Sequence, residues 1–189
     1  MLFRSRAAER KPAKTIDFLW VARCQPIKQP LFFLDLAESL PTARCEMICP
    51  REDADLWAHV QAGAGRLPNV TFLNGVPYHE IQAHYDAASV FVNTSTFEGW
   101  PNSFIQAGLG HAAILSFQVR PDNLFDDYRL GKCADGDMEL MKKIADEWRH
   151  QPDLTREMGD EAARFVAELH DNARETDAFL AGLGVASPA

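Results

Sequence analysis

Short, apolar, β-rich runs alternate with longer amphipathic stretches along most of this chain. The β-rich runs cover residues 15–22, 44–49, 69–73, 89–94 and 112–117, and the stretches between them predict helices over 30–40, 52–62, 78–88 and 102–109. Strands that alternate with helices in this way form βαβ units, whose parallel strands are covered by helices on both faces. The sequence therefore predicts an α/β fold with a doubly wound, Rossmann-like parallel sheet.

The two ends of the chain differ from this alternating middle. Residues 1–14 carry five basic side chains against one acid and show no apolar periodicity, so we interpret them as a linker or a cut end. The segment 137–177 has helical spacing and no β-rich run, which predicts extra helices packed outside the sheet. We expect one domain over 15–182 and a frayed tail over 183–189.

The charge balance and the absence of export signals restrict the partners and the location. The 189 residues include 27 acidic against 19 basic side chains, a net charge of −8, which argues against nucleic acid as a partner. No apolar run approaches the roughly 20 residues of a membrane span, and the N-terminus lacks the apolar segment of a secretory signal. We expect a cytoplasmic protein, with contact of the basic N-terminus with the inner face of the membrane as the alternative.

Several common catalytic motifs are missing from the sequence. No phosphate-binding GxxxxGK[ST] motif is present, and Gly63 and Gly65 do not complete a dinucleotide motif because Pro68 occupies the third glycine position. The six histidines show no metal-ligand spacing with one another or with the four cysteines. The sequence thus predicts neither a bound metal nor a cofactor.

Two cations follow the first predicted strand, where open α/β sheets bind ligands. Arg23 comes directly after the strand and Lys28 five residues later. Two positive side chains in one strand-to-helix loop can neutralise a diphosphate, and arginine can bind phosphate oxygens through two hydrogen bonds. The alternative is two exposed surface cations.

The turn after the fourth strand carries a second candidate site. Glu98 and Gly99 leave the strand, and Asn102 or Ser103 is expected to cap the next helix, whose first-turn amides can bind an anion. Gln106 is a polar residue in an otherwise apolar part of that helix, and a bound ligand could satisfy its hydrogen bonds. The alternative is a capped core helix whose glutamine bonds to a neighbouring loop.

The loop after the third strand is a third, weaker feature. It contains Gly75, Val76 and Pro77, and its backbone could form a wall against which a nucleotide base rests. Loops of this kind are common, so this loop indicates a nucleotide site only in combination with the two cations after the first strand and the turn after the fourth.

Taken together, these segments resemble the C-terminal, donor-binding half of a GT-B fold glycosyltransferase of group 1 (family 4). The resemblance rests on the Arg23–Lys28 spacing, on FLNGVP at 72–77, on VNTSTFEGWPNSFIQAGLG at 92–110 and on REMGDEAARFV at 156–166. The second of these runs resembles the subset that assembles bacterial capsule, exopolysaccharide or lipopolysaccharide. Such enzymes transfer a sugar from a nucleotide-sugar with retention of configuration and without a metal.

The resemblance implies a role for each candidate residue. Arg23 and Lys28 would hold the diphosphate of a UDP-sugar or GDP-sugar, Glu98 would contact the sugar hydroxyls, and Gln106 the ribose. Backbone amides near Asn102 and Ser103 would hold the distal phosphate. Gly99 and Val76 complete the expected donor-binding residues.

The sequence also departs from the family. The usual pattern places a second glutamate eight positions after the first, where this chain has Gln106. A full enzyme has an N-terminal acceptor-binding domain in the same or another chain, so we expect this chain alone to be inactive. The alternatives are a non-catalytic module that binds nucleotide-sugar or docks to a partner, and a non-transferase relative such as an epimerase.

Overall fold

A six-stranded parallel β-sheet lies at the centre of the computed structural model, which describes residues 13–169. The strands are β1 (Ile16–Val21), β2 (Cys45–Ile48), β3 (Val70–Leu73), β4 (Ala88–Asn93), β5 (Ala113–Ser116) and β6 (Gly131–Cys133). They lie in the order β3-β2-β1-β4-β5-β6, and every neighbouring pair is parallel. The order reverses between β1 and β4, which makes this the switch point of the sheet. The predicted doubly wound fold is therefore confirmed.

Helices connect the strands and cover both faces of the sheet. They are α1 (Pro30–Ser39), α2 (Ala54–Ala64), α3 (Ile81–Ala87), α4 (Asn102–Leu109), α5 (Leu124–Asp127), α6 (Met138–Arg149) and α7 (Pro152–Leu169), and a 3₁₀ turn at Pro26–Lys28 precedes α1. The helices α6 and α7 confirm the prediction that extra helices follow the strands of the sheet. The sequence did not predict β6 or α5, because elements of three and four residues are too short to show periodicity.

The core consists of two layers, one on each face of the sheet. In β1, Phe18 and Trp20 pack on the face covered by α1, α2 and α6, whereas Leu19 packs on the face covered by α3, α4 and α7. In β4, Phe91 occupies the same face as Leu19 and lies 6.3 Å from the ring of Phe104 in an edge-to-face arrangement. Strands buried on both faces explain why their sequences are continuously apolar.

The position of α4 relative to α7 depends on a glycine. A Cβ atom at Gly108 would lie 2.7 Å from the carbonyl oxygen of Ala162 on α7, so the two helices pack closer than any larger residue allows. This contact fixes α4, whose first turn lies at the carboxyl end of the sheet, next to the switch point.

The two ends of the chain lie largely outside the described residues. The predicted linker 1–14 is described only at Ala13 and Lys14. Residues 170–182 of the predicted domain and the predicted tail 183–189 lie outside the described residues. The ammonium of Lys14 donates hydrogen bonds to the carbonyl oxygens of Ala88 and Gly110, each at 2.7 Å. Over 13–169, no helix combines the length and the apolarity that crossing a membrane requires.

Candidate functional site

An ion pair occupies the switch point of the sheet. Lys28 ends the 3₁₀ turn after β1, and Glu98 lies in the turn after β4. Because β1 and β4 are neighbouring parallel strands, their following loops meet at one edge of the sheet. The ammonium Nζ of Lys28 lies 2.8 Å from Oε2 of Glu98, and the two side chains are only 21% and 17% exposed. The structure therefore brings together two of the three predicted catalytic residues.

The carboxylate of Glu98 is held by hydrogen bonds as well as by charge. The side-chain amide of Asn93 donates to Oε1 of Glu98 at 2.8 Å. Burial by itself raises the pKa of Glu98, but hydrogen bonds from Lys28, then from Ser95 and Asn93, together with the Lys28 charge, lower it below its usual value. Glu98 is consequently ionised at neutral pH and presents a fixed negative charge beside Lys28.

The backbone of Lys28 is anchored to the core through a chain of side chains. The hydroxyl of Thr94 donates to the carbonyl oxygen of Lys28 at 2.7 Å and accepts a hydrogen bond from the indole N–H of Trp20 at 2.8 Å. Trp20 and Thr94 are both 1% exposed. The amide of Thr96 also donates to the carbonyl oxygen of Ile27, at 3.0 Å. These bonds tie the loop after β1 to the loop after β4.

Arg23 occupies a different environment from Lys28. Its guanidinium lies 3.2 Å from a carboxylate oxygen of Glu52, in the segment before α2, and its side chain is 68% exposed. The sequence placed Arg23 and Lys28 in one diphosphate site, whereas in this structure the Arg23 guanidinium is paired with Glu52. An exposed pair of this kind contributes little to stability, so it can rearrange at low cost.

The helix after Glu98 is not capped as predicted. The helix α4 begins at Asn102, so the N-cap residue is Pro101, which has no side-chain acceptor for the first turn. The backbone N–H of Phe104 donates to the carbonyl oxygen of Pro101 at 3.0 Å. The prediction that Asn102 or Ser103 caps this helix is wrong, because both lie inside its first turn. Gly99 is exposed, with no atom within 4 Å of the position of a Cβ. The backbone N–H groups of Asn102 and Ser103 make no hydrogen bond within the described residues and are thus open to an external acceptor.

Gln106 lies on the second turn of α4 and is half-buried. Its carbonyl oxygen accepts a hydrogen bond from the side chain of Gln82 on α3 at 3.2 Å. Its own side-chain amide makes no hydrogen bond to any residue in the described part of the chain. The alternative of a glutamine bonded to a neighbouring loop is therefore not what the structure shows.

The loop after β3 turns at a glycine and packs inward. Gly75 has φ of +90°, a conformation that favours glycine, and a Cβ there would lie 3.4 Å from the Pro50 ring. The side chain of Val76 packs against the core layer that contains Ile48 and Phe91. The backbone of this loop, rather than the Val76 side chain, is what it can offer to a ligand.

Three residues near the ion pair were missed by sequence reasoning. Asn93 ends the largely apolar buried strand β4 and Thr94 follows it, and this change from apolar to polar residues was a usable signal. Tyr85 on α3 is fully buried, and its hydroxyl has no hydrogen-bond partner in the described residues. Burial, followed by the negative charge of Glu98, raises the pKa of Tyr85. Nothing in the sequence distinguishes this tyrosine from an ordinary core residue.

Across 13–169, no three histidine, cysteine, aspartate or glutamate side chains are grouped to hold a metal ion. Two open grooves of about 340 and 280 Å³ are present, and neither is lined by Lys28 or Glu98. The Lys28–Glu98 pair is therefore the best candidate for a functional centre.

Solved structures of glycosyl transferases share this fold. The C-terminal domain of a group 1 family glycosyl transferase (LpcC) from Francisella tularensis superposes with a TM-score of 0.73 at 15% identity, covering 85% of this chain and 88% of that one. A point mutant of S. aureus TarM, in complex with fondaparinux, alpha-GlcNAc-glycerol and UDP, gives a TM-score of 0.75 at 17% identity, covering 90% of this chain and 36% of that one. WaaG, a glycosyltransferase involved in lipopolysaccharide biosynthesis, gives 0.70 at 14% identity, covering 88% and 47%.

The comparison of sequences leads to the same family. None of the curated proteins matches this chain. A family model for the group 1 glycosyl transferases matches residues 15–146, which includes all five predicted strands and both members of the ion pair. The chain spans about a third to a half of TarM and WaaG and most of the separate LpcC domain. It belongs to the group 1 glycosyl transferases.

Proposed function

We propose that this chain is the nucleotide-sugar donor domain of a retaining glycosyltransferase. The observation that carries the proposal is the Lys28–Glu98 pair at the switch point between β1 and β4. Ligands of open α/β sheets bind at this place, and here it presents a cation suited to phosphate beside a carboxylate suited to sugar hydroxyls. UDP captured in the TarM structure supports a nucleotide diphosphate as the ligand of this fold.

The chemistry follows from the charge that develops during transfer. When the bond from sugar to diphosphate breaks, negative charge builds on the leaving diphosphate, and fixed positive groups nearby stabilise it. Lys28 supplies one such charge, and Arg23 supplies a second when it leaves its exposed contact with Glu52. In this proposal these side chains neutralise the diphosphate without a metal or a cofactor.

The neighbouring groups complete the donor site. The uncapped first turn of α4, at Asn102 and Ser103, offers amides to the distal phosphate next to Gly99. The side chain of Gln106, which lacks a protein partner in the described residues, would bond the ribose hydroxyls in place of the usual glutamate. The backbone beside Val76 would contact the base of a UDP-sugar or GDP-sugar.

Glu98 has a separate role from the cations. Its ionised carboxylate would accept hydrogen bonds from the donor sugar hydroxyls. Because Lys28 already contacts Glu98, a bound diphosphate would have to share the Lys28 ammonium with this carboxylate. A lysine ammonium has three N–H donors, so it can serve both groups at once.

The rest of the proposal concerns the whole enzyme. TarM and WaaG are more than twice as long as the part of them that this chain matches. We therefore propose that an N-terminal acceptor-binding domain, in the same or another chain, is required for transfer. Closing the site against water requires both halves. The lipopolysaccharide role of WaaG and the motif at 92–110 support a place in bacterial surface polysaccharide assembly. We propose a cytoplasmic enzyme whose basic N-terminus can contact the inner membrane face.

The test is sugar transfer by the enzyme completed with its acceptor half. Replacing Glu98 with alanine should abolish transfer, whereas replacing exposed Arg156 on α7 with alanine should leave it intact. If Glu98→Ala transfers sugar at the normal rate, the catalytic assignment is wrong. If the wild-type enzyme binds nucleotide-sugar but never transfers it, the alternative of a non-catalytic binding module replaces the proposal.

A further inference from the structure

We propose that Asn93, the last residue of β4, and Thr94, the residue that follows it, separately position the two charges of the candidate site. Asn93 fixes the carboxylate of Glu98, and Thr94 fixes the loop that carries Lys28. For donor binding this inference rests on the proposed function, but its geometric part does not.

The geometry of a strand end explains how two adjacent residues reach different partners. Successive side chains of a strand point to opposite faces of the sheet. The backbone at this point is fixed, because Asn93 is paired with Ser116 of β5 and its carbonyl oxygen accepts a hydrogen bond from Phe117 at 2.7 Å. Both side chains are almost fully buried, at 5% and 1% exposure, so each needs its hydrogen bonds satisfied by a defined partner.

Asn93 acts on the carboxylate of Glu98. Its amide N–H donates to Oε1, while Lys28 contacts Oε2. Ser95 is a further hydrogen-bond donor that, like these two residues, lowers the pKa of the carboxyl group. The amide oxygen of Asn93 accepts a hydrogen bond from the backbone N–H of Ser95 at 3.0 Å. This second bond sets which end of the amide faces Glu98. The carboxylate is thereby prevented from turning about its last bond.

Thr94 acts on the backbone of Lys28. Its single hydroxyl accepts from the Trp20 indole and donates to the Lys28 carbonyl oxygen, which uses both of its hydrogen-bonding roles. Trp20 belongs to the core and packs near the ring of Phe33, with the ring centroids 6.3 Å apart. The loop that presents Lys28 is thus connected directly to the interior of the sheet.

The first test does not depend on any nucleotide. The titration of Glu98 is followed by ¹³C NMR of its carboxyl carbon, assigned by the loss of its signal in Glu98→Gln. Asn93→Leu removes one donor to the carboxylate, and Thr94→Val loosens the loop that carries its counterion. Both variants should therefore raise the pKa of Glu98, whereas Thr94→Ser, which keeps the hydroxyl, should leave it at the wild-type value.

The control is another asparagine with the same kind of side-chain bonds. Asn69 donates to the carbonyl oxygens of Ala37 and Leu40, far along the chain from the ion pair. Asn69→Leu should leave the titration of Glu98 unchanged. If Asn93→Leu does not fold, Asn93→Ala removes the same donor with a smaller side chain and no new charge, and it should also raise the pKa of Glu98. An unchanged titration in either the Asn93 variant or Thr94→Val overturns the inference.

The second test separates the two roles by their effect on binding. Titrations with UDP or GDP alone report on Lys28, and titrations with their sugar conjugates report on Glu98 as well. Asn93→Leu should weaken the binding of the sugar conjugates by about tenfold, since a hydrogen bond to a charged group is worth about that factor. The same variant should leave the affinity for the free nucleotides unchanged. Thr94→Val should weaken the binding of the free nucleotides and of the sugar conjugates equally.

The binding outcomes keep the two proposals apart. If the wild-type chain binds no nucleotide, the donor-site proposal is wrong, and the titration of Glu98 alone decides the positioning roles. If the wild-type chain binds but both variants weaken the same ligands to the same extent, Asn93 and Thr94 do not act separately and the inference fails.

Discussion

Replacing Lys28 with methionine should destabilise the fold even when no ligand is present. Methionine keeps the apolar length of the side chain and removes only the charge. The change leaves Glu98, which is 17% exposed, without the cation that lies 2.8 Å from it in the wild-type structure. A largely buried carboxylate that loses its counterion is costly, so we expect a lower free energy of unfolding at neutral pH.

The size of the loss follows from the burial of the pair. Two unit charges at 2.8 Å attract each other by about 6 kcal/mol at an effective dielectric constant of 20, before the cost of desolvation is subtracted. Removing one member of a fully buried pair costs about 3–5 kcal/mol. Because each side chain is about one-fifth exposed, water screens part of the interaction, and we expect a loss of about 2 kcal/mol for Lys28→Met.

The assay is urea unfolding of the wild-type chain, of each single variant and of the double variant Lys28→Met with Glu98→Gln. The double variant should regain most of the lost stability, because it leaves no unpaired charge. The matched control is Arg156→Met, since Arg156 pairs with Asp153 at 2.7 Å on the exposed surface of α7 and should change stability little.

The stabilisation that Lys28 contributes should depend on pH through the ionisation of Glu98. The pKa of Glu98 is lower in the folded chain than its usual value, so its contribution to stability is complete above that usual value of about 4.3 and is lost as the pH falls through the folded pKa. The difference between wild type and Lys28→Met should therefore be largest at neutral pH and shrink in acid. A Lys28→Met chain as stable as wild type at pH 7, or a difference that grows in acid, would refute this reasoning.

Three further predictions concern single buried positions. Tyr85→Phe should leave stability unchanged or raise it by about 1 kcal/mol in urea unfolding, because the lost hydroxyl is buried and has no hydrogen-bond partner in the described residues. Gly131→Ala should cost about 3 kcal/mol or more in the same assay, since its Cβ would overlap the backbone of β5, whereas Gly99→Ala, with open space around it, should cost little. Burial raises the pKa of the Cys45 thiol to about 12, and burial also raises the pKa of the Cys49 thiol. Mass spectrometry after iodoacetamide treatment should therefore find both thiols unmodified until the chain unfolds.

The architecture was largely predictable because hydrophobic periodicity records which faces of an element are buried. The five strands and four helices up to residue 117 were found at the predicted places, within a few residues at each end. The short strand β6 was not, because its three residues Gly-Lys-Cys carry no pattern of their own. It exists through pairing with β5, where Ile114 lies opposite Gly131, and such pairing is a tertiary effect.

The centre of the candidate site was predictable for a different reason. In a parallel sheet the loops after neighbouring strands meet at one edge, so Lys28 and Glu98 could be expected to approach each other from their positions after β1 and β4. The position of Arg23 could not be predicted in this way, since its contact with Glu52 depends on a loop that follows another strand. The prediction of the N-cap of α4 was wrong because the backbone conformation places Pro101 at the N-cap, although Asn102 and Ser103 are residue types that prefer this position.

The groups that hold the ion pair lay beyond sequence reasoning. Whether Asn93 reaches Glu98, or Thr94 reaches the backbone of Lys28, depends on how two loops pack against each other. The polarity of these residues marked them as unusual for a buried strand end. Only the three-dimensional arrangement showed which charge each of them contacts.

Calorimetric titration of this chain with UDP, GDP and their sugar conjugates decides whether the Lys28–Glu98 pair is a donor site. We expect one of the two nucleotides to bind with a dissociation constant between micromolar and millimolar, about −8 to −4 kcal/mol. We also expect Lys28→Ala to weaken that binding and Glu98→Gln to remove only the additional affinity contributed by the sugar. Undetectable binding of both nucleotides, or binding that neither variant alters, would contradict the assignment of the Lys28–Glu98 pair as the donor site.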